Sequence, residues 1–376
     1  MKHQIILVGG QVLPCYYSIK KFAPDEVHFV ATEQTAELAK RLKRTIEPSI
    51  KGHIHLVDPY RLGEVKDCCE KIHRESEGAA IHYNLTGGTK PMAFAAYRVA
   101  LEHKAEADYI TFDNELLDLN TGEYEAFALE LSNEEIILLS GNRVLNKEVI
   151  DVLPDRKVKK SKDIMHFMAT NSKRHAKLRK WLAPYWDKGC AVSPRSNTEE
   201  DGFSVFEFDN SCQLHIRKGG FLKLIDIDDH LLLSLEGIGD YELYYNGRWW
   251  ETLVLAALFT ALEEPSEVWT SVCFKAKPES KEIKNEVDIL LNMKTKLLFV
   301  ECKSGHITQD DIYRTKAVRE TYGGDISLSL LVSYYPLEER LVDKCKDAGI
   351  IVLAPKAFRN IGKSLQQMKQ TLQQLI

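Results

Sequence analysis

In the first part of the chain, apolar residues fall into short runs at Ile5–Val8, Val27–Ala31, His53–Val57, Ala80–Leu85 and Asp108–Asp113. Between them, apolar positions recur at helical intervals over Thr35–Lys43, Leu62–Ser76 and Pro91–Lys104. Strand-length runs alternating with single helices predict βαβ units and a parallel sheet wound on both faces, with ligand loops at the carboxyl ends of its strands. Glu123–Leu139 leaves room for further strands without fixing their place. Across Val144–Lys162 the pattern breaks into a charged, proline-containing stretch, which predicts a linker at 146–162 between a domain at 1–145 and another at 163–376.

The second half reads differently. Asp163–Trp186 predicts one or two helices, and Phe203–Leu235 alternates apolar and polar around Gly219-Gly220, as an antiparallel meander does. From about residue 240 the order becomes a helix (Arg248–Glu263), three strands (Val268–Ala276, Glu286–Asn292, Leu297–Lys303), a helix (Thr308–Tyr322) and a strand (Ser327–Ser333). A helix at Leu337–Ala348 and a short strand at Ile350–Leu353 follow.

A chain of 376 residues, 44% hydrophobic and 28% charged, has the length for two domains and enough apolar surface for both cores. It holds no apolar run of membrane-spanning length, and its N-terminus reads as a first strand rather than a signal peptide. Eight scattered cysteines without a CxxC pair predict reduced thiols in a cytoplasmic protein. The net charge of −5 is uneven: residues 1–145 carry 16 Lys+Arg against 22 Asp+Glu, and Arg156–Lys180 holds ten basic residues and one acid. That basic stretch is either a solvated helix face or a patch that follows a phosphate backbone.

The chemistry concentrates in two places. Asp288 lies in one apolar run, and Glu301-Cys302-Lys303 closes the next. Side chains alternate along a strand, so Glu301 and Lys303 share a face, and a turn over Asn292–Lys296 brings Asp288 beside them. Carboxylates are the hard oxygen ligands that Mg²⁺ or Mn²⁺ takes, and such an ion activates water for phosphodiester cleavage. Asp288 and Glu301 are therefore candidate metal ligands, with the carbonyl of Cys302 as a further one. Lys303 is placed to orient water or neutralise developing charge, and Glu251 on the preceding helix is a third acid. The same residue types also occur in ordinary surface ion pairs.

The second place is Asn84-Leu-Thr-Gly-Gly-Thr-Lys-Pro-Met, at the end of the fourth strand. Gly87 and Gly88 permit a sharp turn, Thr89 is a helix cap, and Lys90 adds charge to a helix N-terminus that attracts anions. Gly9, Gly10 and Gln11 after the first strand and Thr32 after the second reach the same sheet edge. These three loops, with Asn84, Thr86 and Gly87–Lys90, form a candidate nucleotide pocket; a tight turn without a ligand is the plainer alternative. Tyr16 and Tyr17 are either covers for bases or core.

Asp288, Glu301-Cys302-Lys303 and Glu251 resemble the motif of the PD-(D/E)xK nucleases, and the element order resembles a restriction-endonuclease-like core. Gln309 sits where that superfamily often keeps a polar residue. Asn84–Lys90 is similar to the loop of CARF domains, the Rossmann-like sensors of cyclic oligoadenylates in CRISPR defence. The resemblance implies an α/β chain: an N-terminal Rossmann-like CARF domain followed by a PD-(D/E)xK domain with its core at about 240–376. It further implies a homodimeric nuclease using Mn²⁺ or Mg²⁺, activated by cyclic tetra-adenylate or another cyclic oligoadenylate, and cutting single-stranded RNA or DNA. Two other readings stand beside it: a non-catalytic nucleotide-sensing regulator that binds nucleic acid, and a ring nuclease that degrades its own activator.

Overall fold

Strands buried on both faces read as continuous apolar runs, and the first sheet is built from such strands. β1 (Lys2–Leu7), β2 (Glu26–Ala31), β3 (Lys51–Leu56), β4 (Ala80–Asn84) and β5 (Glu106–Ile110) pair in parallel. β6 (Glu115–Asp118) and β7 (Tyr124–Ala126) extend the sheet antiparallel, giving the order β3-β2-β1-β4-β5-β6-β7. α1 (Leu13–Phe22) and α2 (Ala36–Thr45) cover one face; α3 (Leu62–Glu75) and α4 (Lys90–Glu102) cover the other. The strand order reverses between β1 and β4, the position at which doubly wound sheets open a crevice for ligands.

This description comes from a computed structural model and covers residues 1–111, 115–126, 130–186, 199–200, 202–261, 267–275, 282–293, 297–323, 327–354 and 370. The expected strand or helix ends at Asp113, Glu263 and Ala276, and positions 294–296 of the expected turn, lie outside the described residues. No helix among the described residues is long and apolar enough to cross a membrane.

Two expectations change. Glu123–Leu139 supplies β7 and then a helix, α5 (Asn133–Leu139), capped by a reciprocal pair between Ser132 and Glu135. The stretch 146–162 is not a linker. Val144–Val149 forms β8, the edge strand of a second sheet, and α6 (Asp155–Thr170) begins only six residues later. Charged residues such as Lys147 and Glu148 look like linker composition because one side of an edge strand is left to solvent.

The remaining elements form one body. After α6 come α7 (Ser172–Trp186) and an antiparallel sheet of β9 (Glu199–Glu200), β10 (Phe203–Asp209), β11 (Cys212–Arg217), β12 (Phe221–Asp226) and β13 (Leu231–Glu236). Next are α8 (Ile238–Tyr245), α9 (Arg248–Ala261), β14 (Val268–Lys275), β15 (Ile283–Asn292), β16 (Leu297–Lys303), α10 (Gln309–Tyr322), β17 (Leu328–Ser333), α11 (Glu339–Asp347) and β18 (Ile350–Leu353). The second large sheet runs β18-β17-β16-β15-β14-β8, parallel from β16 to β18 and antiparallel elsewhere.

The two large sheets share a core. One continuous apolar cluster runs from Tyr16 and Phe29 through Ile136, Ile137 and Leu139 of α5 to Trp269, Leu290 and Phe299 of the second sheet. Polar bonds lock the same seam: the Asn133 backbone N–H donates to Glu267 Oε2 at 2.8 Å, and Asn292 Nδ2 donates to the Leu131 carbonyl. Truncating Ile137, which is 1% exposed in this seam, to alanine is expected to cost about 2–5 kcal/mol in urea unfolding. A change under about 0.5 kcal/mol would show that α5 does not hold the sheets together.

Candidate active site and ligand-loop cluster

The β15–β16 hairpin is paired from Asn292 opposite Leu297 to Ile289 opposite Val300. One rung further the register sets Asp288 against Glu301. There the Asp288 carboxylate replaces the backbone ladder, Oδ2 accepting the Cys302 N–H at 2.7 Å. Beyond it Glu301 and Lys303, two residues apart on β16, meet at 2.7 Å. Helix α9 delivers Glu251 from its first turn. The turn into it places Gly247 at φ +79°, a left-handed conformation that strains a residue with a Cβ. Trp250 Nε1 pins the helix by donating to the Val332 carbonyl at 3.0 Å.

Helix α10 closes the other side. Thr308 caps it in a reciprocal box in which Asp311 Oδ2 accepts from the Thr308 N–H and hydroxyl at 2.9 and 2.7 Å. Asp311 Oδ1 then lies 3.4 Å from Lys303 Nζ, and Arg314 donates to Glu301 Oε1 at 3.0 Å. Asp311 and Arg314 were absent from the sequence-level site. The Thr308-x-x-Asp311 capping pattern was the available signal for the first, and nothing local marked the second. Gln309 turns elsewhere, donating to the Tyr313 hydroxyl at 2.7 Å and accepting from Lys344. Asp311, two residues on, is the α10 acid that reaches Lys303.

The electrostatics follow from crowding acids at a sheet edge. Burial, reinforced by Glu301 and Glu251, pushes the Asp288 carboxyl well above the usual range, against the Cys302 N–H. Burial likewise pushes Glu251 up to about 7; Arg248 and Lys157 oppose the shift, and Glu286 and Glu301 add to it. Burial alone would lower Lys303, but the adjoining Glu301 holds its ammonium above the ordinary value. The Cys302 thiol is pushed well up by burial and the surrounding acids, so the backbone is that residue's useful part.

Such carboxylates are the donor set of a hard divalent cation, and mutually repelling acids raised by burial are what that cation would relieve, so the residues fit Mg²⁺ or Mn²⁺. Glu301 is meanwhile drawn toward Lys303 and Arg314. Among the described residues, the groups with all ligand atoms within 4.8 Å are His3/Glu26/His28 and Asp226/Asp228/His230, not the Asp288 group.

In the first domain the loops after β1 and β4 interlock. A Cβ on Gly87 would stand 2.1 Å from the Leu7 carbonyl, and one on Gly9 would stand 2.8 Å from the Gly88 amide. Asn84 lies beneath them, fully buried, donating to Asp108 Oδ1 at 2.5 Å and Thr86 Oγ1 at 3.1 Å. Thr86 in turn accepts the Ile110 N–H at 2.8 Å. Thr89 caps α4 and donates to the Pro59 carbonyl at 2.6 Å. Thr32 is buried, capping the short 3₁₀ turn that precedes α2. These polar side chains hold the loops in shape, and Gly10, Gln11, Gly88 and Lys90 are the exposed residues of the cluster. Tyr16 and Tyr17 are core residues, 2% and 1% exposed.

Half of the basic stretch Arg156–Lys180 is committed to packing. Arg156 and Lys160 lie 3.2 and 3.6 Å from Asp240, a carboxylate only 3% exposed that needs such partners. Arg174 pairs with Asp209 at 3.2 Å, Lys177 reaches the Phe208 carbonyl, and Arg179 donates to the Tyr245 carbonyl at 3.0 Å.

A doubly wound ligand domain fused to a sheet that ends in Asp288, Glu301 and Lys303 defines a two-part nuclease. Residues 4–138 match the Card1 CARF domain and residues 240–372 match the Card1-like endonuclease domain, so the chain joins a CARF domain of the Card1 kind to a Card1-like endonuclease domain. Solved structures with a similar fold include Can2 from Sulfobacillus thermosulfidooxidans in complex with cyclic tetra-adenylate, at 19% identity and TM-score 0.67, covering 100% of this chain and 99% of that one. Protein VC1899 from Vibrio cholerae is similar at 13% identity and TM-score 0.74, covering 99% and 98%. A type III CRISPR defence DNA nuclease activated by cyclic oligoadenylate aligns at 20% identity and TM-score 0.55, over 97% of this chain and 51% of that one. At these identities the likeness shows the fold. No curated protein sequence matches the chain.

The raised Glu251 carboxyl has a consequence for stability. An acid whose folded pKa lies above its unfolded value holds its proton longer in the folded state, so stability falls as pH rises between about 4.5 and about 7. In chelator, urea unfolding of the parent is expected to show this decline, and Glu251→Gln is expected to flatten it. A parent slope unchanged by Glu251→Gln would show that Glu251 is not the strained acid.

Proposed function

We propose that this chain is a cytoplasmic, metal-dependent endonuclease that cuts single-stranded RNA, DNA or both once a cyclic oligoadenylate is bound. The carrying observation is the gathering of Asp288, Glu301, Lys303 and Glu251 at one end of the mixed sheet, in the domain that matches an endonuclease. Asp288, Glu301 and Glu251 would hold Mn²⁺ or Mg²⁺, and the bound ion supplies Lewis acidity and an activated water. Lys303, steadied by Asp311, is positioned to orient that water and to stabilise negative charge on the phosphate. Lys303 and Arg314 both meet Glu301 at Oε1, so Oε2 is the oxygen that Glu301 would offer to the ion.

Gly10, Gln11, Gly88 and Lys90 are the proposed activator surface, offering backbone amides and one ammonium to phosphate. The Can2 complex with cyclic tetra-adenylate, similar over the whole chain, supports a four-adenylate ring as the activator. Such a ring has two-fold symmetry, so a homodimer presenting this surface twice suits it. Activation then requires tighter binding to the active arrangement than to the resting one, with α5 as the shared element that feels the difference.

Labelled single-stranded RNA and DNA, incubated with Mn²⁺ and with linear or cyclic oligoadenylates, test the reading. Cutting is expected only with a cyclic activator, and Lys303→Ala is expected to slow it by about 10²–10³-fold. Lys90→Ala is expected to raise the activator concentration needed while leaving the saturated rate intact. Undiminished cutting by Glu301→Ala would sink the assignment.

A further inference from the structure

The face of the first sheet covered by α3 and α4 carries, toward the amino ends of its strands, a group of imidazoles that the nuclease reading does not use. His3 on β1 and His28 on β2 are 6% and 7% exposed, and the Glu26 side chain beside them is 14% exposed. Parallel register aligns His3 with Glu26 and His28 with His53, which puts residues from three strands on one face. Ligand atoms of His3, Glu26 and His28 all lie within 4.8 Å of one another.

We propose that His3, Glu26 and His28 form a binding site for a borderline transition-metal ion of the zinc(II) type. His28 Nε2 and His3 Nδ1 are 3.4 Å apart. Two nitrogens bound at about 2.0–2.1 Å in a tetrahedron stand about 3.3–3.4 Å apart, whereas an N–H hydrogen bond prefers about 2.9–3.0 Å. The outer partners fit as well. His55 Nε2 lies 3.2 Å from His28 Nδ1, an outer partner that can accept the Nδ1 proton when Nε2 ligates. His53 Nε2 lies 3.0 Å from Glu26 Oε2, an outer partner for the carboxylate. Lys51, whose side chain is 70% exposed, pairs with Glu26 at 3.0 Å and is free to swing into water when the ion binds. Two imidazoles and one carboxylate leave a fourth position for water, the donor set of zinc rather than of Mg²⁺. The ion would tie β1 to β2 at the end of the sheet opposite the ligand loops.

The test uses the full, tag-free chain carrying Asp288→Ala, so that the nuclease acids do not hold metal. After chelator treatment, Zn²⁺ is added, excess is dialysed away and bound metal is measured; Co²⁺ gives a visible spectrum that reports coordination. One Zn²⁺ per chain is expected, with a tetrahedral Co²⁺ spectrum and a rise in Tm. His28→Ala and Glu26→Gln are each expected to weaken binding at least about ten-fold, the loss that even an outer-shell change causes. Glu26→Gln keeps size and shape, so its metal-free Tm checks that the loss is not misfolding. No retained zinc in the parent, or retention in both variants equal to that of the parent, overturns the proposal.

Discussion

Everything in this molecule hangs on the seam that α5 makes between two sheets. Ile136, Ile137 and Leu139 belong at once to the core beneath the sensor sheet and to the core beneath the acid-bearing sheet. Interiors are close-packed, so a shift on one side of such a helix has no slack to absorb it. Tyr16 and Lys20 of α1 meet Glu135 of α5 at 2.8 and 2.9 Å, and Asn142 just beyond α5 donates to the Thr321 carbonyl on α10 at 2.6 Å. α1, α5 and α10 are therefore joined by direct contacts.

The candidate active site lives with a charge imbalance that the fold imposes. Three acids are brought to one sheet end by a hairpin and a helix, and the cations nearest them are divided. Lys303 and Arg314 both go to Glu301, while Arg248 and Lys157 only partly offset burial at Glu251. Asp288 relies on one backbone N–H. Acids raised by burial and mutual repulsion at one sheet end are candidates for a functional site. Asp240 shows the contrast: it is buried as deeply as any acid among the described residues, yet it is satisfied by Arg156, Lys160 and the Glu236 N–H.

Much of the fold was legible along the chain. Short runs alternating with helices gave the parallel sheet, and two-residue spacing placed Glu301 and Lys303 on one face, where they meet at 2.7 Å. The glycines of the ligand loops were also readable, since Gly9 and Gly87 sit where no Cβ fits. The errors were of another kind. β8 looked like a linker because edge strands carry charge, and α5 was missed because its apolar face answers to two sheets. The hydrogen bonds by which Asn84, Thr86 and Thr89 hold the loop were not legible, because their partners Asp108, Ile110 and Pro59 lie far along the chain.

By itself, the sequence determined the elements, the acid-and-lysine spacing and the tight glycine turns, because these depend on local periodicity and backbone sterics. Only the tertiary structure decided which charge meets which. Asp311 reaches Lys303, the basic stretch secures Asp240 and Asp209, and four histidines from three strands gather around Glu26. Those pairings are fixed by strand register and helix packing between residues far apart in the chain, and no local pattern encodes them.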